Sequence, residues 1–240
     1  VISERDPKAS LITIWADHWI PDTAAHAQAL RAAGETVAQF PKETVLLGIT
    51  PRYPETGYGY IQLARQVKIS NVKSQISNLK IYRVKKFVEK PDAKTAERYV
   101  QSGKFLWNPG MFAWNAGHLL SLYKKYLPKH FAILQKIKRA ARDPRALSQA
   151  IAREFPKMPR QEIEYGILEK TPRKLVIPVD FAWDDIGHWR TVHEIFAREG
   201  GASRRGRVIE IGGKNNLILG FGKRVVACAG LENMIVIETP

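Results

Sequence analysis

Two aspartates sit far apart in the chain, each in a short aromatic-walled turn: Asp17 in Trp15-Ala16-Asp17-His18, and Asp185 in Trp183-Asp184-Asp185-Ile186-Gly187-His188-Trp189. Magnesium takes few protein carboxylates and completes its shell with water and substrate oxygens, so one aspartate from each of two loops suffices. On chemistry alone Asp184 serves as well as Asp185. The competing role for each is capping the helix that follows. Between them lie Pro54-Glu55-Thr56-Gly57-Tyr58-Gly59-Tyr60 and Phe87-Val88-Glu89-Lys90-Pro91, both rich in groups that grip hydroxyls and phosphates. Metal, cations and rigid alignment are what transfer of a phosphorus centre needs, and the set points to chemistry on a phosphorylated sugar.

Glu89 can accept from two sugar hydroxyls while Lys90 meets the sugar phosphate, provided a turn before Pro91 brings the two side chains together. An exposed ion pair of little energetic weight is the plain alternative. Gly57 and Gly59 allow close approach to backbone N–H groups near Glu55, and Tyr58 offers a ring face to a pyranose; a merely structural turn reads as well. Asn108 can donate to and accept from a hydroxyl, or simply shape the turn before Pro109. No histidine pair has metal-binding spacing, and no Gly-x-Ser-x-Gly elbow or Cys–His pair supplies a hydrolytic nucleophile.

These residues need a scaffold that gathers strand ends. Leu11–Trp15 reads as a strand buried on both faces, with Asp17 at its carboxyl end, the edge where open α/β sheets bind ligands. A helix over about 23–33 leads to a strand at Val45–Ile49, which implies a parallel crossover. Further strands are expected at 81–90, at 105–114 with a break at Asn108-Pro109-Gly110, and at 175–179. Helices are expected at 93–102 with a stop at Gly103, through most of 116–169, and from Gly187 to Glu199 with a stop at Gly200-Gly201. After residue 205, short apolar runs separated by Gly or Asn predict a small β-solenoid. The expected division is 1–203 and 204–240.

The chain has 240 residues, 45% hydrophobic and 25% charged, enough for one substantial core. No apolar run approaches the roughly 20 residues of a membrane-spanning helix, so no membrane partner is expected. The single Cys228 cannot form an internal disulfide; it suits a reducing cytoplasmic setting and reads as a small packed residue. Net charge is +15, with eleven Lys or Arg between Tyr123 and Arg160 against Asp143 and Glu154. Leu127, Phe131, Leu134, Ile137 and Ala141 recur there at helical spacing, so the cations read as a wet helix face and nucleic acid is not the expected partner. A basic face meeting an acidic partner is the reading from outside enzymology, and a homo-oligomer is compatible with the sequence. The start at Val1 and the end directly after a strand pattern read as cut ends.

Taken in order along the chain, six segments resemble the bacterial mannose-1-phosphate guanylyltransferases: Ala16-Asp17-His18, Pro54–Ile61, Phe87–Asp92, Trp107–Phe112, Ile163–Thr171 and Trp183–Trp189. The resemblance implies a Rossmann-like nucleotidyltransferase domain with a mostly parallel sheet, its amino-terminal part missing, followed by the start of a left-handed β-helix. It implies GTP and mannose 1-phosphate as substrates, GDP-mannose and pyrophosphate as products, and Mg2+ as cofactor. By motif, Asp17 and Asp185 would be the metal ligands, Glu89 the sugar-hydroxyl acceptor, Lys90 the phosphate cation, and Gly59 and Asn108 further sugar contacts. Nucleotidyltransferases for other sugar phosphates share several of these segments. The chain departs from the family at Asn108-Pro109-Gly110, where Asn-Ser-Gly is usual, and at Ile163-Glu164-Tyr165, where Ile-Asp-Tyr is usual. The family's Gly-rich GTP loop has no counterpart here, so weak catalysis by these 240 residues is the expectation.

Overall fold

Thr44–Ile49 is buried at every position, as a run of apolar and β-branched residues in mid-sheet should be. Around it the computed structural model describes residues 2–67, 80–187, 189–198 and 204–239. In chain order the elements are α1 (Ile2–Arg5), β1 (Ser10–Thr13), β2 (His18–Trp19), α2 (Thr23–Gln39), β3 (Thr44–Ile49), β4 (Gly59–Val67), β5 (Ile81–Val88), α3 (Ala93–Ser102), β6 (Phe105–Asn108) and β7 (Phe112–Asn115). Then come α4 (Ala116–Tyr126), α5 (Pro128–Arg139), α6 (Pro144–Glu154), a π-helical turn at Glu164–Leu168, β8 (Lys174–Val179), β9 (Asp184–Asp185) and α7 (Trp189–Arg198). Five short strands follow: β10 (Arg204–Arg205), β11 (Val208–Ile211), β12 (Leu217–Leu219), β13 (Val226–Ala229) and β14 (Ile235–Ile237). Contacts gather these elements into two units, Val1–Trp15 with Ile20–Ala182, and Ala16–Trp19 with Trp183–Pro240. The division expected at 203/204, the helix stop at Gly200-Gly201, Glu199 and His188 lie at or within segments outside the described residues.

The first unit is built on a seven-stranded sheet of order β1-β7-β3-β6-β4-β5-β8, in which β3 also pairs with β8. The expectation of a mostly parallel sheet is corrected: among the described pairings of this sheet only β3–β8 is parallel, and the others are antiparallel. A crossover helix fixes strand direction but not adjacency. β1 and β3 do run the same way across α2, yet β7 lies between them, antiparallel to both. β1 is consequently an edge strand, with Ile12 and the following Ile14 exposed, and the expectation that Leu11–Trp15 is buried on both faces is also corrected.

Trp107, Trp114, Tyr60 and Leu46 form fully buried parts of the core. α3 starts under Asp92, whose side chain accepts from the Thr95 N–H at 2.8 Å, and stops at Gly103 in the left-handed conformation. Asn115 ends β7 and caps α4 through His118 N–H at 2.9 Å. The basic stretch is helical as expected. Its buried Glu154 carboxylate is bracketed by Arg153 at 2.8 Å, Lys157 at 3.2 Å and Lys136 at 3.9 Å. Buried Lys174 opens β8 and donates to the carbonyls of Leu168 and Thr171, tying down the end of the π-helical turn. No described helix is long and apolar enough to cross a membrane.

In the second unit β2 and β9 form a two-residue antiparallel ladder, while the strands after residue 203 pair in parallel as β10-β12-β14 and β11-β13. Val208 lies opposite Val226 and Leu217 opposite Ile235, an offset of 18 residues in both pairings, whereas Arg204 lies opposite Ile218 at an offset of 14. Asn215 and Asn233, also 18 apart, both have φ of 55° and share a side-chain hydrogen bond of 2.7 Å. Left-handed backbone is tolerated by Asn better than by most residues, so its recurrence marks one corner of successive turns. Cys228 packs inward, buried, as its solitary occurrence suggested.

Candidate active site

In the first unit the start of β4 meets the ends of β5 and β6, which brings Gly59, Glu89 and Asn108 together. Gly59 pairs with Asn108 across β4–β6, and Tyr60 pairs with Val88 across β4–β5, so Glu89 falls beside Gly59. A Cβ on Gly59 would lie 2.5 Å from Glu89 Oε2 and 3.2 Å from Asn108 Cβ. Only glycine leaves room for the carboxylate at this approach. Asn108 Oδ1 accepts from Gly110 N–H at 3.0 Å, which shapes the turn and leaves the amide nitrogen to donate to a ligand. Gly110 itself has φ of 69°, and a Cβ there would run into the Trp15 indole.

The Glu89 side chain is 7% exposed, and its Oε2 has no hydrogen-bond partner among the described residues. Its Oε1 lies 3.7 Å from Lys90 Nζ, and its backbone N–H donates to Glu169 Oε1 at 3.0 Å. Burial pushes the carboxyl up to about 7; Glu164 adds to the shift, Lys90 opposes it, and Glu162 and Glu169 contribute further. Close to neutrality the group can therefore accept or donate. Glu164 is itself raised, chiefly by burial. Lys90 remains half exposed, with Glu162 Oε2 at 3.8 Å on its other side. Its φ of 44° places a long side chain in the left-handed region, at a cost of about 1–2 kcal/mol, the kind of strain that concentrates at ligand sites.

The neighbouring loop divides. Tyr58 is half-buried, its ring edge-on to Trp107 at 5.4 Å. Glu55 is committed to its own turn: its Oε1 accepts from Gly57 N–H at 2.8 Å and its carbonyl from Tyr60 OH at 2.8 Å. That uses one of the backbone donors expected to serve a ligand. Glu162, Glu164 and Glu169 were not assigned roles from sequence. The Ile163–Thr171 segment was the signal for Glu164 and Glu169, while Glu162 directly precedes it; the π-helical turn Glu164–Leu168 lies among all three, and π-turns recur at functional positions.

In the second unit the β2–β9 ladder sets His18 opposite Asp185 and Trp19 opposite Asp184, while Ile186 N–H donates to the Asp17 carbonyl at 3.1 Å. The two aspartate-bearing turns are thus locked together through the backbone. Asp184 is only 3% exposed, whereas Asp185 is half-buried and Asp17 exposed. Neighbours on a strand face opposite sides, so burial of Asp184 leaves Asp185 as the available carboxylate. Asp185 Oδ1 accepts from Gly187 N–H at 2.8 Å, leaving Oδ2 for a ligand. Trp183 Nε1 donates to His18 Nδ1 at 3.1 Å, so His18 orients the turn. Among the described residues no group of three or more His, Cys, Asp or Glu could hold a metal. Two aspartates on turns joined through the backbone are nonetheless of the oxygen-donor type that Mg2+ takes, since it needs few protein carboxylates.

Residues 2–200 match the family described as Nucleotidyl transferase. The chain is 36% identical over 231 residues to the alginate biosynthesis protein AlgA of Pseudomonas syringae pv. tomato, covering 95% of this chain and 45% of that protein. It is 32% identical over 237 residues to the mannose-1-phosphate guanylyltransferase of Escherichia coli K12, covering 98% and 47%. The chain therefore spans about half the length of these relatives. A crystal structure from Thermus thermophilus, described as a mannose-1-phosphate geranyltransferase, superposes with a TM-score of 0.76 at 27% identity, over 99% of this chain and 65% of that one. Its likeness supports the Rossmann-like nucleotidyltransferase fold.

Proposed function

Because this chain belongs to the nucleotidyl transferase family, we propose that it works as a mannose-1-phosphate guanylyltransferase, joining mannose 1-phosphate to the GMP part of GTP. An oxygen of the sugar phosphate attacks the α-phosphorus of GTP, the bond to the bridging oxygen of the β-phosphate breaks, and pyrophosphate leaves. Catalysis of this kind is mostly alignment and charge stabilisation. The observation that carries the reading is the buried Glu89 carboxylate held beside Gly59 with an unpartnered oxygen, next to the Lys90 ammonium at 3.7 Å.

Glu89 takes the sugar hydroxyls, Lys90 the sugar phosphate, and Asn108 a further hydroxyl, while Tyr58 bounds the ring. Asp17 and Asp185 would hold Mg2+, which when bound neutralises charge on the phosphate oxygens. The 18-residue offset of β11–β13 and β12–β14 supports a further part of the reading, that the second unit begins a left-handed β-helix. A cytoplasmic setting agrees with the single unpaired Cys228.

Calorimetric titration with mannose 1-phosphate and glucose 1-phosphate, together with a GTP-dependent assay for GDP-mannose in Mg2+, tests this. Preferential binding of mannose 1-phosphate that falls at least 10-fold in Glu89→Gln and Lys90→Ala is the expected result. Equal affinity for the glucose ester would remove the mannose assignment, and absence of binding by either would remove the sugar-phosphate site.

A further inference from the structure

Lys90 does not extend freely into solvent. Its ammonium stands between two carboxylates, Glu89 Oε1 at 3.7 Å and Glu162 Oε2 at 3.8 Å. Glu89 is buried beside Gly59, but Glu162 is 57% exposed and approaches from the segment that leads into the π-helical turn. Beside it opens a cavity of about 420 Å3, lined by Arg160, Gln161, Glu162 and Tyr165. A carboxylate that lines a cavity and stands against the Lys90 ammonium occupies the position of an anion.

We propose that Glu162 is a positioning residue that holds Lys90 in the unliganded protein by standing in for the sugar's phosphate, and that the arriving phosphate displaces it. This rests on the reading of Lys90 as the phosphate cation. The left-handed backbone of Lys90 directs its side chain, and the two carboxylates fix its end, so the ammonium is aligned before substrate arrives. The cost is competition: each phosphate that binds must replace Glu162. An exposed pair of this length is weak, so the competition is worth about 2- to 5-fold in affinity rather than orders of magnitude.

Glu162 also belongs to the charge set facing Glu89. From the strand end that set includes Lys90; from the 162–169 segment it includes Glu162, Glu164, Tyr165 and Glu169; β4 and β6 contribute uncharged Gly59 and Asn108. Removing the Glu162 charge removes one of the repulsions that raise Glu89, so it lowers the pH at which Glu89 ionises.

The test compares wild type with Glu162→Gln, using Glu97→Gln on the exposed face of α3 as the control carboxylate. Acylation of Lys90 by a small amine-directed reagent, followed by peptide mass analysis, should be 2- to 5-fold faster in Glu162→Gln. Inorganic phosphate should bind about 2- to 5-fold more tightly, and KM for mannose 1-phosphate should fall while kcat does not rise. The Glu89-dependent limb of the pH profile should move to lower pH. Glu97→Gln should behave as wild type in each measurement. Unchanged Lys90 acylation and phosphate affinity in Glu162→Gln would overturn the proposal. If those two respond but mannose 1-phosphate binds neither form, the tether stands and the sugar-phosphate reading falls.

Discussion

At the residue scale, the site turns on how closely Glu89 and Gly59 approach. Gly59→Ala puts a methyl group where the carboxylate lies, and overpacking of this kind costs about 1–3 kcal/mol, so sugar-phosphate affinity should drop about 10-fold or more. Titration calorimetry on the folded variant checks it; wild-type affinity would mean that Glu89 has no part in binding. Glu89 also gives the fold a pH signature. Burial, then Glu164, raise its pKa to about 7 from the ordinary 4.5. Between those values the folded protein keeps a proton that the unfolded chain has lost. The resulting stability is complete below the unfolded pKa and disappears as pH rises through about 7, with a ceiling of about 3 kcal/mol. Thermal melts of wild type and Glu89→Gln across pH 4 to 8 should show the wild type losing stability relative to the variant; parallel curves would contradict the assignment. The sequence named Glu89, Lys90, Gly59 and Asn108, because motif residues at strand ends meet whenever the strands pair. It could not reveal that Glu55 commits an oxygen to Gly57, since that depends on a rotamer.

At the element scale, the π-helical turn is the least ordinary piece, and Lys174 holds its end. Lys174→Met leaves the Leu168 and Thr171 carbonyls without that donor, at a cost of about 1–3 kcal/mol. Because the same turn carries Glu164 and leads to Glu169, the melting temperature and sugar-phosphate affinity should fall together. A drop in stability with unchanged affinity would show that the turn does not support the site. Punctuation made much of the element plan readable: Asp92 and Gly103 bound α3 where expected, and the Asn108–Gly110 break separates β6 from β7. Strand order was not readable. Local patterns report which residues form a strand, whereas insertion of β7 between β1 and β3 is decided by pairing across about 100 residues of sequence.

At the scale of the whole molecule, a charge of +15 is the dominant global property. Local neutralisation, as around Glu154, removes only part of it. Self-repulsion of that size weakens the folded state and is screened over about 10 Å at 0.1 M salt, so raising sodium chloride from 0.02 to 0.3 M should raise the melting temperature. A fall over that range would mean that attractive ion pairs outweigh the net repulsion.

The recurrence of Asn215 and Asn233 at an 18-residue spacing makes the stretch from Val208 onward a ruler. Stacked parallel strands are about 4.8 Å apart, so each 18 residues of chain advance the stack by one such step. Length can change only in whole steps: an insertion of 18 residues adds one graduation, whereas 17 or 19 would carry the left-handed corner onto a residue that resists it and turn inward side chains out.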